Sequence, residues 1–256
     1  MRINELPSPD LYDRYFSVVP ATTPDLLDAA HALRYQVYCV EHAFENPAEH
    51  PGGREIDQYD AHSAHAVLIH KPTSEVVGCV RLILPHEGSG IAALPLRALL
   101  GARSGALLDS CDPLVTAEIS RYAVSKKLRR REGEDLYPDV GELSAGEVRR
   151  LGPHISVGLI RGVAALAADR GITKVCAAIA PALARLLERL GLTFSPLGPV
   201  IDYHGPRQPC IADCEALLQG MANRNFEQYR AVNAVYHSGQ PERVTPVAAS
   251  ARRRVI

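Results

Sequence analysis

The sequence lacks the features that would assign it at once to a membrane, nucleic-acid-binding or zinc-binding class. No run of about 18 apolar residues occurs, so no membrane-spanning helix is predicted. The formal net charge is −1, without the basic excess typical of proteins that bind nucleic acid phosphates. The six cysteines are scattered, and the one close pair has no second pair to complete a zinc site. We therefore expect reduced thiols, no metal and no nucleic-acid partner.

The first residues do not have the pattern of a secretory leader. The segment MRINELPSPDLYDRYF carries charges and prolines where such a leader has an apolar core, so we expect a cytoplasmic protein. The composition, 46% hydrophobic and 22% charged over 256 residues, is typical of a globular chain. We predict a main domain over 21–212, between an N-terminal arm (1–20) and a C-terminal helical extension with a basic tail (213–256).

Periodicity and turn residues predict an α/β fold with a mixed central sheet and helices on both faces. Thr23 and Pro24 open a helix that ends near His42. The polar turn 71–75 separates two strands and predicts a hairpin. The remaining elements are predicted as strands over 115–124 and 172–179 and helices over 154–170, 181–190 and 213–236. The loop 43–55, rich in Pro, Gly and charge, is a candidate lid. The Pro-rich segment 195–209 is predicted to have no regular secondary structure.

The strand Thr116–Val124 carries charged residues where an internal strand is normally apolar. Alternation places Glu118, Ser120 and Tyr122 on one face, and Arg121 on the other unless a bulge intervenes. Such a break in the local pattern is typical of a functional site. The alternative is a strand end that carries an ordinary salt bridge.

Further charges lie on three other predicted elements. Asp57 and Asp60 precede the first hairpin strand, Arg81 lies in the second, and Arg34 lies in the first helix. An acidic pair near a turn is often a solvated cap, but opposite charges on separate buried elements have to satisfy one another. The pattern therefore favours a buried ionic cluster.

Four blocks in this order resemble the acyl-homoserine-lactone synthases and the related N-acyl amino acid synthases. They are LRYQVY (33–38), D-x-x-D (57–60), G-x-x-R-L (78–82) and E-x-S-R-Y-A-V (118–124). With CVEHAFE and YHGPR (203–207), the sequence most resembles the acyltransferases associated with PEP-CTERM and exosortase protein-sorting systems. The resemblance covers about residues 30–210. It implies the GNAT acyltransferase fold, a thioester acyl donor on acyl carrier protein, and a small amine acceptor.

The resemblance also implies roles for particular residues. In such synthases an ionic network shapes the acceptor site, and its matching positions here are Arg34, Asp57, Asp60 and Arg81. The glutamate of the E-x-S-R strand is the candidate general base, which matches Glu118. The E-x-S-R-Y-A-V block also contributes Ser120, Arg121 and Tyr122 to the predicted catalytic set. The LRYQVY block contributes Tyr38 to the predicted substrate site. A bulge in this strand would aim backbone N–H groups near Tyr122 to Val124 at the thioester carbonyl.

The expected donor is the acyl-phosphopantetheine of acyl carrier protein, or acyl-CoA, with no permanently bound cofactor. The sequence has no Gln/Arg-x-x-Gly-x-Gly/Ala loop after the third strand, the motif with which related acetyltransferases hold the CoA pyrophosphate. Instead it has SKKLRRREG, whose positive charge suits an acidic carrier protein. The predicted docking residues are Lys126, Lys127, Arg129, Arg130 and Arg131. A merely solvated basic loop is the alternative.

The chain has no tryptophan, whereas lactone synthases hold S-adenosylmethionine with an aromatic, often Trp-containing N-terminal region. An amino acid or similar amine is therefore favoured as acceptor over S-adenosylmethionine. His204 and Arg207 are candidates to bind its carboxylate, although a structural turn fits their Gly and Pro neighbours equally well. The histidines at 62, 65 and 70 have no recognised ligand spacing and are predicted at the surface or at strand ends.

Three functions remain open on the sequence. The first is an N-acyltransferase that uses Glu118 as its base. The second is an acyl-homoserine-lactone synthase that uses S-adenosylmethionine. The third is a non-catalytic module that binds acyl chains or acyl carrier protein, although it would not require the charged strand Glu118–Arg121.

Overall fold

The computed structural model describes residues 9–86, 88–126 and 145–238. Among these residues the strands are β1 (Phe16–Pro20), β2 (Ser63–His70), β3 (Glu75–Ile83), β4 (Thr116–Val124), β5 (Lys174–Ile179), β6 (Ser195–Pro196), β7 (Ile201–Asp202) and β8 (Pro206–Asp213). The α-helices are α1 (Pro9–Tyr15), α2 (Pro24–Arg34), α3 (Pro95–Leu99), α4 (Ala102–Asp109), α5 (Ala145–Asp169), α6 (Pro181–Arg189), α7 (Cys214–Arg224) and α8 (Phe226–Ser238). None of these helices is both long enough and apolar enough to cross a membrane.

The sheet has the strand order β1-β2-β3-β4-β5-β8-β6, and β7 pairs with β8. All described neighbours are antiparallel except β4 and β5, which are parallel and pair only over Thr116–Glu118 and Lys174–Cys176. Beyond Glu118 the two strands separate, so the sheet has a gap in its middle. The mixed sheet confirms the predicted fold class, and the β2–β3 hairpin confirms the predicted antiparallel pair.

Alternation along β2 divides the core into two layers. Ala66 and Leu68 pack towards α5, whereas Val67 packs towards α2 on the opposite face. Helix α5 lies very close to the sheet because it carries Gly158 and Gly162 on its inner face. A Cβ at Gly158 would lie 2.7 Å from Leu68, and one at Gly162 3.0 Å from Ala66. The helices therefore cover both faces, as predicted.

The first predicted helix begins as expected and changes its geometry half-way. The Thr23 side chain caps α2 by accepting a hydrogen bond from the Leu26 N–H at 3.3 Å. After Arg34 the helix widens into a π-helix over Tyr35–Glu41 and ends near His42, as predicted. A π-helical turn is uncommon and often lies at a functional site. Here it follows the buried Arg34 and carries Tyr38.

Several elements differ from the prediction. Within the predicted arm, β1 is a full edge strand that pairs with β2 from Phe16 to Pro20. The segment predicted as irregular contains β6, β7 and part of β8, which pair in the sheet although the segment is rich in proline. The single C-terminal helix predicted over 213–236 is two helices, because the backbone at Asn225 (φ −149°, ψ 86°) is not helical. The predicted basic tail lies outside the described residues.

Candidate active site

A bulge in β4 decides which side chains reach the site. Arg81 of β3 pairs with Ser120, and Cys79 pairs with Ala123, so two residues of β4 lie opposite one residue of β3. Arg121, in the bulge, has a φ of +48°. The bulge rotates the Arg121 side chain onto the α2 face, where Ser120 also lies.

The prediction that Tyr122 shares a face with Glu118 and Ser120 is therefore wrong. The extra residue reverses the alternation, and the Tyr122 ring packs against the core layer under α5. Its backbone carbonyl accepts a hydrogen bond from the Tyr38 hydroxyl at 3.3 Å. The π-helical segment is thus bonded directly to the bulge.

Three arginines and four carboxylates, Glu45, Glu55, Asp57 and Asp60, form a largely buried network on the α2 face. Arg34, which is fully buried, binds Asp60 through two N–H···O bonds of 2.6 and 3.0 Å and also donates to Glu55. Arg81 binds Asp57 through bonds of 2.6 and 2.9 Å and reaches Asp60 at 2.9 Å. Such bidentate pairs fix the planar groups of both partners.

Arg121 joins the same network from β4. Its Nη2 donates to Glu55 at 2.8 Å, to Asp57 at 3.0 Å and to Glu45 at 3.2 Å. Arg81 in turn donates from Nε to the Ser120 hydroxyl at 2.9 Å. The structure thus brings together all four residues predicted for the network.

Two carboxylates of this network, Glu55 and Asp60, are held ionised. Burial alone would raise the pKa of Glu55, but hydrogen bonds from Arg121 and Arg34 outweigh burial and lower the pKa to about 2. The pKa of Asp60 is also lowered, because its bonds to Arg34 and its charge interaction with Arg81 outweigh desolvation. Sequence reasoning missed Glu55 and Glu45 as members. The only signal for Glu55 was its position two residues before Asp57.

Glu118 occupies a different environment. It is 5% exposed, and its Oε2 accepts a hydrogen bond of 2.7 Å from the Leu96 N–H in the first turn of α3. Burial raises its pKa to about 8, against the opposing effect of that hydrogen bond. The site therefore holds two kinds of carboxyl group: Glu55 and Asp60, whose pKa values are lowered, and Glu118, whose pKa is raised to about 8. Such a separation of pKa values is typical of acid–base sites.

A cavity of about 270 Å³ connects Glu118 with the gap between β4 and β5. On the α2 face it is lined by polar side chains, which include Asp57, Arg81, Glu118, Ser120 and Arg121. On the α5 face it is lined by apolar side chains: Ile119, Ile160, Val163, Ala164, Ala167, Val175, Ala177, Ile179, Leu183, Leu187, Leu192, Phe194, Leu217, Leu218, Val232 and Tyr236. The cavity therefore passes through the sheet. We call its parts the polar mouth and the apolar lobe.

The predicted lid and the predicted carboxylate-binding pair meet at the polar mouth. The Phe44 ring lies 5.4 Å from the ring of His204 and 5.8 Å from the Arg207 guanidinium. Glu45 lies 3.6 Å from His204 Nε2, besides its contact with Arg121. Loop 43–55 and residues 203–207 thus close the same side of the cavity, and His204 adopts a positive φ of +53°.

Of the predicted docking residues, the structure describes Lys126. Its side chain is exposed, and its backbone N–H donates to Glu41 at 3.2 Å. Lys127, Arg129, Arg130 and Arg131 lie outside the described residues.

His31, Asp60 and His65 bring three ligand-type atoms within 4.8 Å of one another. The prediction that His65 lies at the surface or a strand end is wrong: it is buried within β2, and burial lowers its pKa to about 4. The Asp60 oxygen that faces both rings already accepts N–H groups from Arg34 and Arg81. A cation there would have to displace two guanidinium groups, so the donor set suits the ionic network better than a metal.

Comparison with known proteins agrees with this architecture. Residues 33–138 match a protein family described as "Acetyltransferase (GNAT) domain". A search of curated protein sequences finds no match. The family match and the fold together support an acyltransferase, which confirms the predicted class of enzyme.

Three solved structures share the fold at low sequence identity. The AHL synthase LasI is 19% identical, with a TM-score of 0.54, over 78% of this chain and 89% of its own. The CoA-dependent acyl-homoserine lactone synthase BjaI, solved with SAM and isopentyl-CoA, is 18% identical, with a TM-score of 0.54, over 86% of this chain and 98% of its own. FeeM, an N-acyl amino acid synthase from uncultured soil microbes, is 15% identical, with a TM-score of 0.53, over 82% of this chain and 97% of its own. These likenesses confirm the predicted GNAT-like fold.

Proposed function

We propose that the chain is an N-acyltransferase that moves a long acyl chain from an acyl-carrier-protein thioester to the amine of an amino acid or a similar small amine. The observation that carries the proposal is the single cavity that joins Glu118 to an apolar lobe through the gap between β4 and β5. A charged acceptor suits the polar mouth, and an acyl chain suits the lobe. The thioester carbonyl then lies between them, beside the bulge.

Each chemical step has a group to perform it. The amine nitrogen attacks the thioester carbon, the C–S bond breaks, and the phosphopantetheine thiolate leaves as the amide forms. Glu118, in its ionised form, accepts the proton that the amine loses, directly or through a water. Backbone N–H groups along Tyr122 to Val124 are the proposed donors to the oxyanion. The network around Arg121 holds this bulge in place.

The acceptor site is proposed to bind a carboxylate. His204 and Arg207 line the polar mouth, next to Arg121. The guanidinium of Arg207 and the N–H groups of both side chains at this position favour an amino acid, in which the amine and the carboxylate are carried by the same carbon. FeeM is named for this type of product, whereas LasI and BjaI are named for lactones. With no tryptophan in the chain, we place the amino acid first and S-adenosylmethionine second.

The donor is proposed to be acyl carrier protein rather than CoA. The sequence lacks the pyrophosphate-binding loop and carries basic residues from Lys126 to Arg131 instead. BjaI is described as CoA-dependent, so the two donors have to be compared directly. A cytoplasmic location and the association with exosortase systems remain predictions.

The test is mass spectrometry of lipid extracts from cells that produce the intact protein, compared with cells that produce Glu118→Gln. The matched control is Glu227→Gln, because Glu227 is exposed on α8. A new N-acylated amine is expected with the intact protein and with the control, and not with Glu118→Gln. Release of methylthioadenosine from S-adenosylmethionine by the purified protein would favour the lactone synthase. If neither carrier-protein nor CoA thioesters react, the non-catalytic binding module takes precedence.

A further inference from the structure

The apolar lobe is built by side chains of one helical face and one strand face. Helix α5 contributes Ile160, Val163, Ala164 and Ala167, a spacing that places them on one side of a helix. Strand β5 contributes alternate residues, Val175, Ala177 and Ile179. Alanines occur at three of these seven positions, and their small side chains leave the space that the lobe occupies.

The lobe runs along β5, away from the gap through which it is entered. From Ile179, beside the gap, to Val175, at the other end of the lining, the strand advances about 13 Å at roughly 3.3 Å per residue. At the Val175 end the lining also includes Ala167, Cys214 and Tyr236. Cys214 is fixed there by its backbone bond of 2.8 Å to the Thr173 carbonyl. The lobe thus has a defined far end, and α7 and α8 form part of it.

Tyr236 of α8 is held across this end. Its hydroxyl donates to the Ile172 carbonyl at 3.2 Å, and the Cys214 thiol reaches the same carbonyl at 3.7 Å. Burial raises the pKa of the Tyr236 hydroxyl to about 12, so it keeps the proton that it donates. The hydrogen bond therefore fixes the ring between the lobe and the outer surface of α8, whose next residue, His237, is exposed.

We propose that Tyr236 is the end wall of the acyl site and sets the longest acyl chain that the protein accepts. That the ligand is an acyl chain rests on the proposed function, whereas the limit on its length rests on the geometry of the lobe. A chain that fits the lobe buries each of its methylenes, whereas a longer chain has to displace the ring and its hydrogen bond. If the lobe had no end wall, each further methylene of the acyl chain would be removed from water and would tighten binding about fourfold.

The test compares straight-chain acyl-carrier-protein thioesters of increasing length as donors, with kcat/KM as the measure. In Tyr236→Ala the longest accepted chain is expected to increase by several methylenes, with a gain of at least tenfold for chains that the intact protein rejects. Tyr236→Phe keeps the ring but loses the hydrogen bond that fixes it, so its length limit is expected to lie between those of the intact protein and Tyr236→Ala. Phe226→Ala is the matched control, because Phe226 lies on the same helix but is 63% exposed and does not line the cavity. Ala167→Leu fills the same end and is expected to shift the limit towards shorter chains.

A second measurement separates this inference from the proposed function. Free fatty acids of the same lengths are added to the full chain, and the rise in Tm reports binding without turnover. One outcome is that acids up to a limited length bind, that Tyr236→Ala extends this length, and that no donor is turned over. This outcome supports Tyr236 as the end wall and contradicts the N-acyltransferase proposal. If donors are turned over but Tyr236→Ala and the intact protein share one length limit, the end wall is overturned. Failure of every acid and every thioester to bind overturns both.

Discussion

Arg34 and Arg121 are joined through one carboxylate, that of Glu55. Arg34 Nε donates to Glu55 Oε2 from α2, and Arg121 Nη2 donates to Glu55 Oε1 at 2.8 Å from the bulge of β4. Glu55 itself is 1% exposed and is the last residue of loop 43–55, which lies over the polar mouth. One side chain therefore ties the helix, the bulge and the loop together, so that the site is organised before substrate binds.

The first prediction concerns the stability that this carboxylate provides. Glu55→Gln leaves two buried guanidinium groups short of one negative charge, and breaking a buried ion pair in this way costs about 3–5 kcal/mol. Chemical denaturation of the variant and the intact protein measures the difference. Asp28→Asn is the control: it breaks the exposed pair of Arg54 and Asp28, and little change is expected. Equal losses in the two variants would contradict the buried network.

The second prediction follows from the lowered pKa of Glu55. The group has an ordinary pKa of 4.5 and a folded value of about 2, so the folded state holds this proton less tightly than the unfolded state. Its contribution to stability is thus fully present above pH 4.5 and is lost as the pH falls towards 2. Denaturation between pH 7 and pH 3 is expected to show a fall in the free energy of unfolding. In Glu55→Gln this fall is smaller, and an identical fall in both proteins would assign it to other groups.

For Glu118 the pH dependence of stability is expected to have the opposite sign to that of Glu55. The pKa of Glu118 is raised from 4.5 to about 8, so the folded state holds the proton more tightly, and stability is lost as the pH rises through this interval. Glu118→Gln removes that loss while its amide oxygen still accepts from the Leu96 N–H. We expect the Tm of Glu118→Gln to exceed that of the intact protein by a margin that grows from pH 5 to pH 9. A margin in Tm that stays constant from pH 5 to pH 9 would show that Glu118 does not titrate in this range.

The rate is expected to depend on the same proton. As general base, Glu118 acts in its ionised form, so kcat/KM should rise with pH and level off above about 8. The acceptor amine also has to be unprotonated, and two acceptors of different amine pKa separate the two effects. An inflection of the pH–rate profile that lies at the same pH with both acceptors belongs to Glu118. A profile in which every step moves with the acceptor would remove Glu118 as the base.

A further prediction concerns the bond between the π-helical segment and the bulge. Tyr38→Phe removes the hydroxyl that donates to the Tyr122 carbonyl, and the loss of one such bond costs about 1 kcal/mol of stability. Because the bulge positions the proposed oxyanion donors, kcat is expected to fall about tenfold, while KM for the acceptor changes little. The expected fall is smaller than the roughly 100- to 1000-fold loss that the complete removal of one oxyanion donor causes, because here the donors are only displaced. Tyr35→Phe, in the same segment, is the control. Equal kcat values for the two variants would mean that the bulge does not need this bond.

Part of this molecule follows from local sequence. Thr23 and Pro24 start a helix because a hydroxyl cap and a fixed φ act over a few residues. The polar turn 71–75 between two apolar segments likewise predicts the β2–β3 hairpin, because a turn is specified by a few consecutive residues. The charged residues within apolar elements, Arg34 and Arg81 among them, indicate a buried network because isolated charges cannot remain buried.

Contacts between distant segments decided the rest. The side of the sheet that Arg121 faces depends on the bulge opposite β3, which the family resemblance implied but which alternation along the strand does not specify. Glu55 looks like any acidic residue near a turn until the fold encloses it between Arg34 and Arg121. Tyr236 likewise reads as an ordinary helical residue until α8 packs against α5. Local sequence predicted most of the helices and strands and the charges that have to be paired. The partners of those charges and the enclosed cavity depend on packing between residues far apart in the chain, which local sequence does not specify.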